Sequence, residues 1–537
     1  MSDTTSKLQQ IRHYLGVGAL AALVIGIAPT AMARDGLSIL NAKCKSCHLP
    51  DDKTPLTADK KLVRISDQRK TPEGWLANIG RMQVMWGVKI TDQDRRDLVK
   101  YLADKQGLAP SETEGFRYAM ERRLNTTSEN FEPLFAEMCA RCHSGARFAL
   151  QRKPAEEWSR LVHFHLGRFP SLEYQMMGRD RDWFGIALKE VVPALAKAYP
   201  LESQAWSDWQ KQRPAANTLA GEWSFSGHLP GKGDVAGVMT VKNTENDQFK
   251  VEVKGQYADG GAFNGEGSAV LYNGYEWRGN IKMGNDTLRQ VFAAVNGEMR
   301  GRMFDKTHDE RGLDFAAAQK GAAPRLLAVQ PGYIKAGQEA EVSIIGSGLT
   351  GAPSFGNGVQ VVAVVAQTPE RLTVRVKAAA DAADGLRAVS VGSISGGSLA
   401  VFKNVAEVKV VPAFSVARIG GNGGATPKME GRFDAEGWGQ GADGKPFRIG
   451  VFPAKWSVEP FNDQAKEDQD LKFAGVMDAA SGIFTPGDAG PNPARKMSTN
   501  NTGNLKVVAN VNAAGQALKG EAQLIVTVQR WNNPPLP

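Results

Sequence analysis

Cys44-Lys45-Ser46-Cys47-His48 and Cys139-Ala140-Arg141-Cys142-His143 together use every cysteine in the chain. Both are C-x-x-C-H haem-attachment motifs. A spacing of three residues is close to one helical turn, so the two sulfurs of each motif face one side and can form thioethers with the two vinyl groups of a haem. The histidine that follows reaches the iron. A zinc knuckle, a thioredoxin-like pair or a structural disulfide would use C-x-x-C without needing that histidine. Two complete motifs with no cysteine left over point to two covalently bound c-type haems and to electron transfer.

A haem that only carries electrons takes two protein ligands on its iron, and the motifs supply one each, His48 and His143. The others follow from a repeat, in which Trp75-Leu-Ala-Asn-Ile-Gly-Arg-Met82 aligns with Trp158-Ser-Arg-Leu-Val-His-Phe-His165. At the same distance beyond its tryptophan, one half has Met82 and the other His165. The expected ligand pairs are His48/Met82 and His143/His165, with the methionine raising the potential of its haem above that of the bis-histidine one. Met85 is the main rival of Met82, ahead of Met176 and Met177, and His163 is the rival of His165. Trp75 and Trp158 read as core packing or contacts with a haem edge.

Outward from the motifs, residues 34–212 read as helical. Ile90 to Leu102 is amphipathic, with Thr91 as N-cap and acids in the first turn. Ile39/Leu40 and Leu134/Phe135 precede the two motifs at matching distances, as in one short helix used twice. Upstream, Lys7, Arg12 and His13 lead into the apolar run Tyr14 to Pro29, and Ala31-Met32-Ala33 offers a small-residue cleavage site. This reads as a signal peptide over 1–33 and places the mature protein in the periplasm. The run is shorter than the roughly 20 apolar residues of a spanning helix, and no later stretch is long enough, so no membrane span is expected in the mature chain. The net charge of +8 is spread among acids without a basic block, which together with export excludes nucleic acid as a partner.

After Pro214 the text alternates apolar and polar residues with glycine punctuation, as in Phe249-Lys-Val-Glu-Val-Lys and Leu372-Thr-Val-Arg-Val-Lys, the pattern of β-hairpins. At 537 residues the chain exceeds a single core. The expected fold is multidomain, α plus all-β: a helical dihaem cytochrome c domain at 34–212, then three antiparallel β barrel or sandwich domains. These are a β-barrel domain at 213–323, an immunoglobulin-like β-sandwich at 324–411 and a C-terminal β domain at 412–537. The glycine-, proline- and asparagine-rich stretch from Ser481 to Asn504 reads as a long surface loop. Asp305, His308 and Asp309 read as solvated surface, and no catalytic residue is assigned.

The order of parts now carries a resemblance. A dihaem segment with Thr71-Pro-Glu-Gly-Trp75 and Phe135-Ala-Glu-Met-Cys-Ala-Arg-Cys-His143, followed by β domains opening at Leu219-Ala-Gly-Glu-Trp223, resembles the alpha subunit of quinohaemoprotein amine dehydrogenase. The resemblance covers the mature chain and implies a periplasmic heterotrimer. Its gamma subunit would carry cysteine tryptophylquinone and oxidise primary amines, and its beta subunit would be a propeller. The alpha subunit would pass electrons to a soluble cytochrome c or an azurin-type copper protein. Such a quinone needs a cysteine to crosslink with tryptophan, and the haem motifs leave none free in this chain. Competing expectations are a dihaem peroxidase-like enzyme with one open iron and a stand-alone dihaem shuttle.

Overall fold

Thr71 starts the helix Pro72–Trp86. Its side chain accepts the Gly74 N–H, Pro72 presets the first turn, and Gly87 ends the helix in a left-handed conformation at φ 69°. Thr91 and Asp94 form a capping box that opens Asp92–Lys105, as the sequence pattern predicts. That helix packs Leu98, Val99 and Leu102 against Ile39 and Leu40 of Gly36–Lys43. A Cβ on Gly36 would lie 2.2 Å from the Tyr101 Cβ, so only glycine permits the approach. These elements belong to a computed structural model that describes residues 35–49, 56–57, 59–169, 171–172, 181–421, 427–513 and 515–528. The expected signal peptide, Met176 and Met177 lie outside the described residues.

The second helical half centres on Ala155–Arg168, with Trp158 and Val162 packed among Phe135, Phe148, Trp183 and Leu195. A small two-stranded antiparallel sheet joins the halves, Arg69 opposite Arg152 and Lys70 opposite Gln151. Glu112 sits beneath it. Arg69 donates to Glu112 Oε2 at 2.8 Å and to Oε1 at 3.0 Å, Arg152 Nε donates to Oε1 at 3.0 Å, and the Ser203 hydroxyl adds a bond of 2.9 Å. All three charged side chains are buried.

Beyond the helices the chain is mostly β. Eight antiparallel strands from Gly221–Leu229 to Gly312–Gln319 run up and down, and the last pairs with the first to close a barrel. Alternate residues fill it, among them Trp223, Phe225, Phe249, Trp277 and Phe292. Its one central amide, Gln290, accepts the Trp277 indole N–H at 2.9 Å and points its own NH2 at the sulfurs of Met239 and Met303. Asn296-Gly297 turns between two strands with φ 52° and 72°, the positive pair that a two-residue hairpin requires.

Two four-stranded sheets follow, Arg325–Gln330 with Glu339–Ser347, Arg371–Ala378 and Val359–Gln367, and Tyr333–Lys335 with Ile394–Phe402, Gly385–Val391 and Pro353–Ser354. They close over one core that includes Val342, Ile344, Val374 and Leu399. The final unit has three small sheets around Phe433, Trp456, Phe484 and Leu505.

Three expectations change. Tyr333–Lys335 pairs parallel with Ile394–Phe402, and Phe414–Arg418 parallel with Gln516–Thr527, so the β units are not purely antiparallel; strands this far apart in sequence meet by crossovers rather than hairpins. Glu407–Val411 pairs with Asp434–Gln440, so the last unit starts ahead of the boundary expected at 411/412. The Ser481 to Asn504 stretch is not one loop. It contains the strand Ile483–Pro486, and its buried Asn492 and Asn501 donate to the carbonyls of Asp468, Phe473 and Asp488. Polar staples rather than an apolar pattern order it, which is why hydropathy does not show it.

His228 ties the barrel to the last unit. Its Nδ1 meets Asp234 at 2.7 Å and its Nε2 meets Asp434 at 2.9 Å. Burial opposes the charge, but the two carboxylates outweigh it and push the imidazole up to about 10. At Glu112, burial is outweighed by the arginines, which bring the carboxyl down to about 2.

Two outcomes follow. Glu112→Ala leaves two buried guanidinium groups without their anion and should cost about 3–5 kcal/mol, read by thermal unfolding at 222 nm as loss of the helical signal. Because the Glu112 pKa is depressed, its stabilisation is present above the ordinary 4.5 and disappears as pH falls through about 2. His228 has the opposite sign: its contribution is complete below 6.5 and lost as pH rises through about 10. The melting difference between wild type and Asp434→Asn should therefore shrink over that rise.

Candidate functional site

Each C-x-x-C-H motif occupies a single tight turn. In the first, Lys45–His48 is one helical turn that follows Gly36–Lys43, with the N–H groups of Cys47 and His48 both donating to the Cys44 carbonyl at 3.2 and 3.1 Å. In the second, Cys139 lies in a π-helical turn, Ala136–Ala140, that continues Pro133–Phe135. In both, the first cysteine is half-buried and the second exposed, and neither pair is disulfide-bonded. Burial, with Cys47 adding to it, raises the Cys44 thiol to about 11, and burial raises Cys139 to about 12. These are protonated thiols, unlike the low-pKa thiolate of a redox dithiol.

The histidines are set in one tautomer. His48 Nδ1 lies 2.8 Å from the Val63 carbonyl, His143 Nδ1 2.9 Å from that of Ser144, and His165 Nδ1 2.7 Å from that of Leu161. A carbonyl only accepts, so Nδ1 carries the proton and Nε2 keeps its lone pair for a metal. Burial lowers the pKa of His143 and of His165, which favours the neutral ring in both. Glu129 accepts the Gly145 N–H at 2.8 Å and a hydroxyl from Ser144, which fixes the turn after His143. A Cβ on Gly145 would come within 2.2 Å of the Phe131 ring.

His143 and His165 face each other with ring centroids 6.3 Å apart. Two imidazoles sharing one metal through Nε2 bonds of about 2 Å put their centroids roughly 6 Å apart, so the residues present fit a bis-histidine iron. His163 is exposed, with Nδ1 on the Ser159 carbonyl at 3.0 Å and its ring edge-on to Phe184. In the first half, Met82 continues the helix face of buried Trp75 and Ile79, as His165 continues that of Trp158 and Val162. Met85, one turn further along the same helix, is half-buried like Met82.

The helix that carries Met82 is fastened to the barrel at its first turn, where Glu73 accepts from Arg278 Nε at 2.6 Å and Nη2 at 3.2 Å. Burial pushes the neighbouring Glu276 up to about 7, with the Glu73 charge adding to the rise. Asp305 accepts the N–H groups of Thr307 and His308, and His308 pairs with Glu310 at 3.1 Å. That trio is a turn, with Asp309 contributing its carbonyl to Arg302.

One signal lies ahead of the aligned tryptophans. Gln68-Arg69-Lys70 and Gln151-Arg152-Lys153 stand at the same offset as Trp75 and Trp158. This second copy of the repeat builds the joint between the halves.

Residues 34–206 match the family model for quinohemoprotein amine dehydrogenase A, alpha subunit, haem binding. Residues 216–320, 323–403 and 408–536 match domains II, III and IV of the same alpha subunit. No curated protein matches the chain. Among solved structures, a redesigned β barrel is 16% identical over 20% of this chain and 95% of its own, with a TM-score of 0.18. The Bacteroides ovatus mixed-linkage glucan utilization locus protein SGBP-B is 10% identical over 57% of this chain and 60% of its own, at 0.19. Drosophila N-cadherin EC1-3 is 8% identical over 54% of this chain and 89% of its own, at 0.21. Likenesses this slight carry no argument. With its haem-binding segment and the three domains after it all matched in order, the chain belongs to the quinohaemoprotein amine dehydrogenase alpha-subunit family.

Proposed function

We propose that this chain is the dihaem electron-transfer subunit of a periplasmic amine dehydrogenase, and that it does not itself oxidise the amine. The facing pair His143 and His165 beside a C-x-x-C-H turn carries the reading. In it, Cys44, Cys47, Cys139 and Cys142 hold two haems by thioethers, with His48/Met82 on one iron and His143/His165 on the other. The haems supply one-electron chemistry. The chain's own residues fix the ligand tautomers, exclude water behind Trp75 and Trp158 and hold the two halves in register. Electrons enter from a cysteine tryptophylquinone on the gamma subunit, beside a propeller-shaped beta subunit, and leave to a soluble cytochrome or copper protein. The family supports a complex of several subunits. Export by the N-terminal segment and an immunoglobulin-like pairing of the two four-stranded sheets belong to the same proposal.

The denatured chain should keep two haems, visible by haem-linked peroxidase staining and by mass, and Cys44→Ala with Cys47→Ala should leave one. A haem-free denatured wild type would end the proposal. Purified alone, the chain should show haem spectra without reduction by primary amines; reduction by the verified single chain would refute the division of labour.

The ligands separate by spectroscopy. Met82→Ala should abolish a far-red methionine-to-iron band and lower one potential by on the order of 0.1 V, a fraction of the about 0.8 V that axial ligation spans. His165→Ala should keep the band and open the other iron to carbon monoxide. Loss of the band in Met85→Ala alone, or carbon monoxide binding in His163→Ala alone, would move the ligand to the rival residue. Carbon monoxide binding by reduced wild type would favour the peroxidase-like alternative.

A further inference from the structure

The eight-stranded barrel is filled at one end and open at the other. Its strands run up and down, so the turns that follow Leu229, Tyr257, Met283 and Asp305 share the end opposite the Asn273 turn that meets the helices. Trp223, Phe249 and Trp277 pack the Asn273 end. At the other end the side chains leave a cavity of about 760 Å3, lined by Tyr257, Phe263, Met283, Leu288, Met303 and Leu313, with Arg432 of the last unit at its rim. Barrel mouths and joints between domains are common places for a small ligand, and a cavity of this size can enclose one.

One buried charge faces that space. Two residues beyond Met303 on the same inward face, Asp305 lines the cavity and is 7% exposed. Its Oδ1 accepts the Thr307 N–H and hydroxyl, both at 2.7 Å, and the His308 N–H at 2.8 Å. Among the described residues Oδ2 takes no hydrogen bond and the carboxylate forms no ion pair. Burial opposes its charge, but the Thr307 and His308 donors outweigh burial and hold Asp305 below the ordinary carboxylate range.

The neighbouring cations are already engaged. Arg311 and Arg432 both donate to Glu430, at 2.6 and 2.9 Å, and Arg432 also donates to the Pro230 carbonyl at 3.2 Å. Lys232 pairs with Asp259 at 3.8 Å, and Lys254 alternates to the outside between inward Val253 and Gly255. Asp286 lines the mouth as well, so Asp286, Asp305 and Glu430 outnumber the two guanidinium groups there. An ionised carboxylate with a free oxygen beside an apolar cavity calls for a cation with an apolar body.

We propose that the barrel mouth is a binding site for an amphipathic ammonium, whose N–H groups donate to Asp305 Oδ2 while its apolar tail lies against Phe263, Met283 and Leu313. The rings of Tyr257 and Phe263, with centroids 5.1 Å apart, add aromatic faces that favour a cation. Tyr257 shows that preference within the chain, since Lys232 Nζ lies 4.5 Å from its centre. The site shares no residue with the two C-x-x-C-H segments or their candidate ligands, and stands whether or not the haem reading does.

The test titrates the full chain by calorimetry with hexylammonium, hexan-1-ol and hexanoate, and records the visible spectrum alongside. Hexylammonium should bind a single site about tenfold or more tighter than hexan-1-ol, because a hydrogen bond between charged groups is stronger than a neutral one. Hexanoate should bind weakest, and the visible spectrum should not move. Asp305→Asn keeps the Oδ1 acceptor for Thr307 and His308 but puts an amide NH2 in place of Oδ2; it should bring hexylammonium down to the level of hexan-1-ol. Phe263→Ala should weaken both ligands together. If Asp305→Asn does not fold, the ranking of the three ligands on wild type and the loss in Phe263→Ala decide the case. Hexylammonium bound no tighter than hexan-1-ol, or equally well by wild type and Asp305→Asn, would overturn the site. Tightest binding by hexanoate would assign the mouth to its arginines and to an anion instead, and a visible-band shift on adding hexylammonium would move the amine to an iron.

Discussion

Glu112 holds Arg69 and Arg152 in a buried three-way ion pair, and the helical region is arranged around that contact. Each arginine stands at the start of one copy of the repeat, so pinning both to a single carboxylate sets the antiparallel pairing of Arg69–Lys70 with Gln151–Arg152. That pairing lies directly ahead of the helices Pro72–Trp86 and Ala155–Arg168, which carry Met82 and His165. A buried charge of either sign is unfavourable by itself; the arrangement holds because the guanidinium donors meet oxygens nearly everywhere. Arg69 also reaches the carbonyls of Gly107 and Leu201, and Arg152 that of Ala149.

The barrel then acts as a base for the helices. Asn273 in one of its turns accepts from Arg213 at 2.7 Å and donates its backbone N–H to the Asp104 carboxylate at 2.6 Å. Arg278 clasps Glu73 at the start of the Met82 helix, and Thr113 meets the buried Tyr275 hydroxyl at 3.1 Å. On the far side Arg325 joins Glu298 of the barrel, and Arg311 and His228 meet Glu430 and Asp434 of the last unit. Apolar contacts cross the same joints, Leu108 and Met120 against Val291 and Phe304 and Tyr333 against Phe452, and polar contacts of defined geometry add to them. Such joints fix orientation in a way that non-directional apolar contact does not.

Local chemistry was legible in the chain. The C-x-x-C-H turns, the Thr91 cap, the glycine-punctuated strands and the order of helical and β regions all rest on interactions between residues a few positions apart, and spacing alone reports them. The tryptophan repeat was legible for the same reason. Its companion, the doubled Gln-Arg-Lys, was equally visible as text, but its meaning was not, because a charged triplet ordinarily reads as solvated surface. The folded stretch around Asn492 and Asn501 was hidden for a related reason: side-chain to carbonyl staples leave no period in hydropathy.

By itself, then, the sequence determined the two C-x-x-C-H motifs of the haem-binding segment, the candidate ligands and the class of each region, since motifs and periodicity are properties of neighbouring residues. Only the tertiary structure decided what depends on residues far apart in the chain. It brings Arg69 and Arg152 to Glu112, and it sets His143 opposite His165 while turning His163 to the surface. It pairs Phe414–Arg418 with Gln516–Thr527 in parallel and assigns Glu407–Val411 to the last unit. Among the described residues it gives the Trp75 indole a partner and the Trp158 indole none. No local spacing encodes these outcomes, because each is a choice among distant partners settled by which buried charges and donors can be satisfied together.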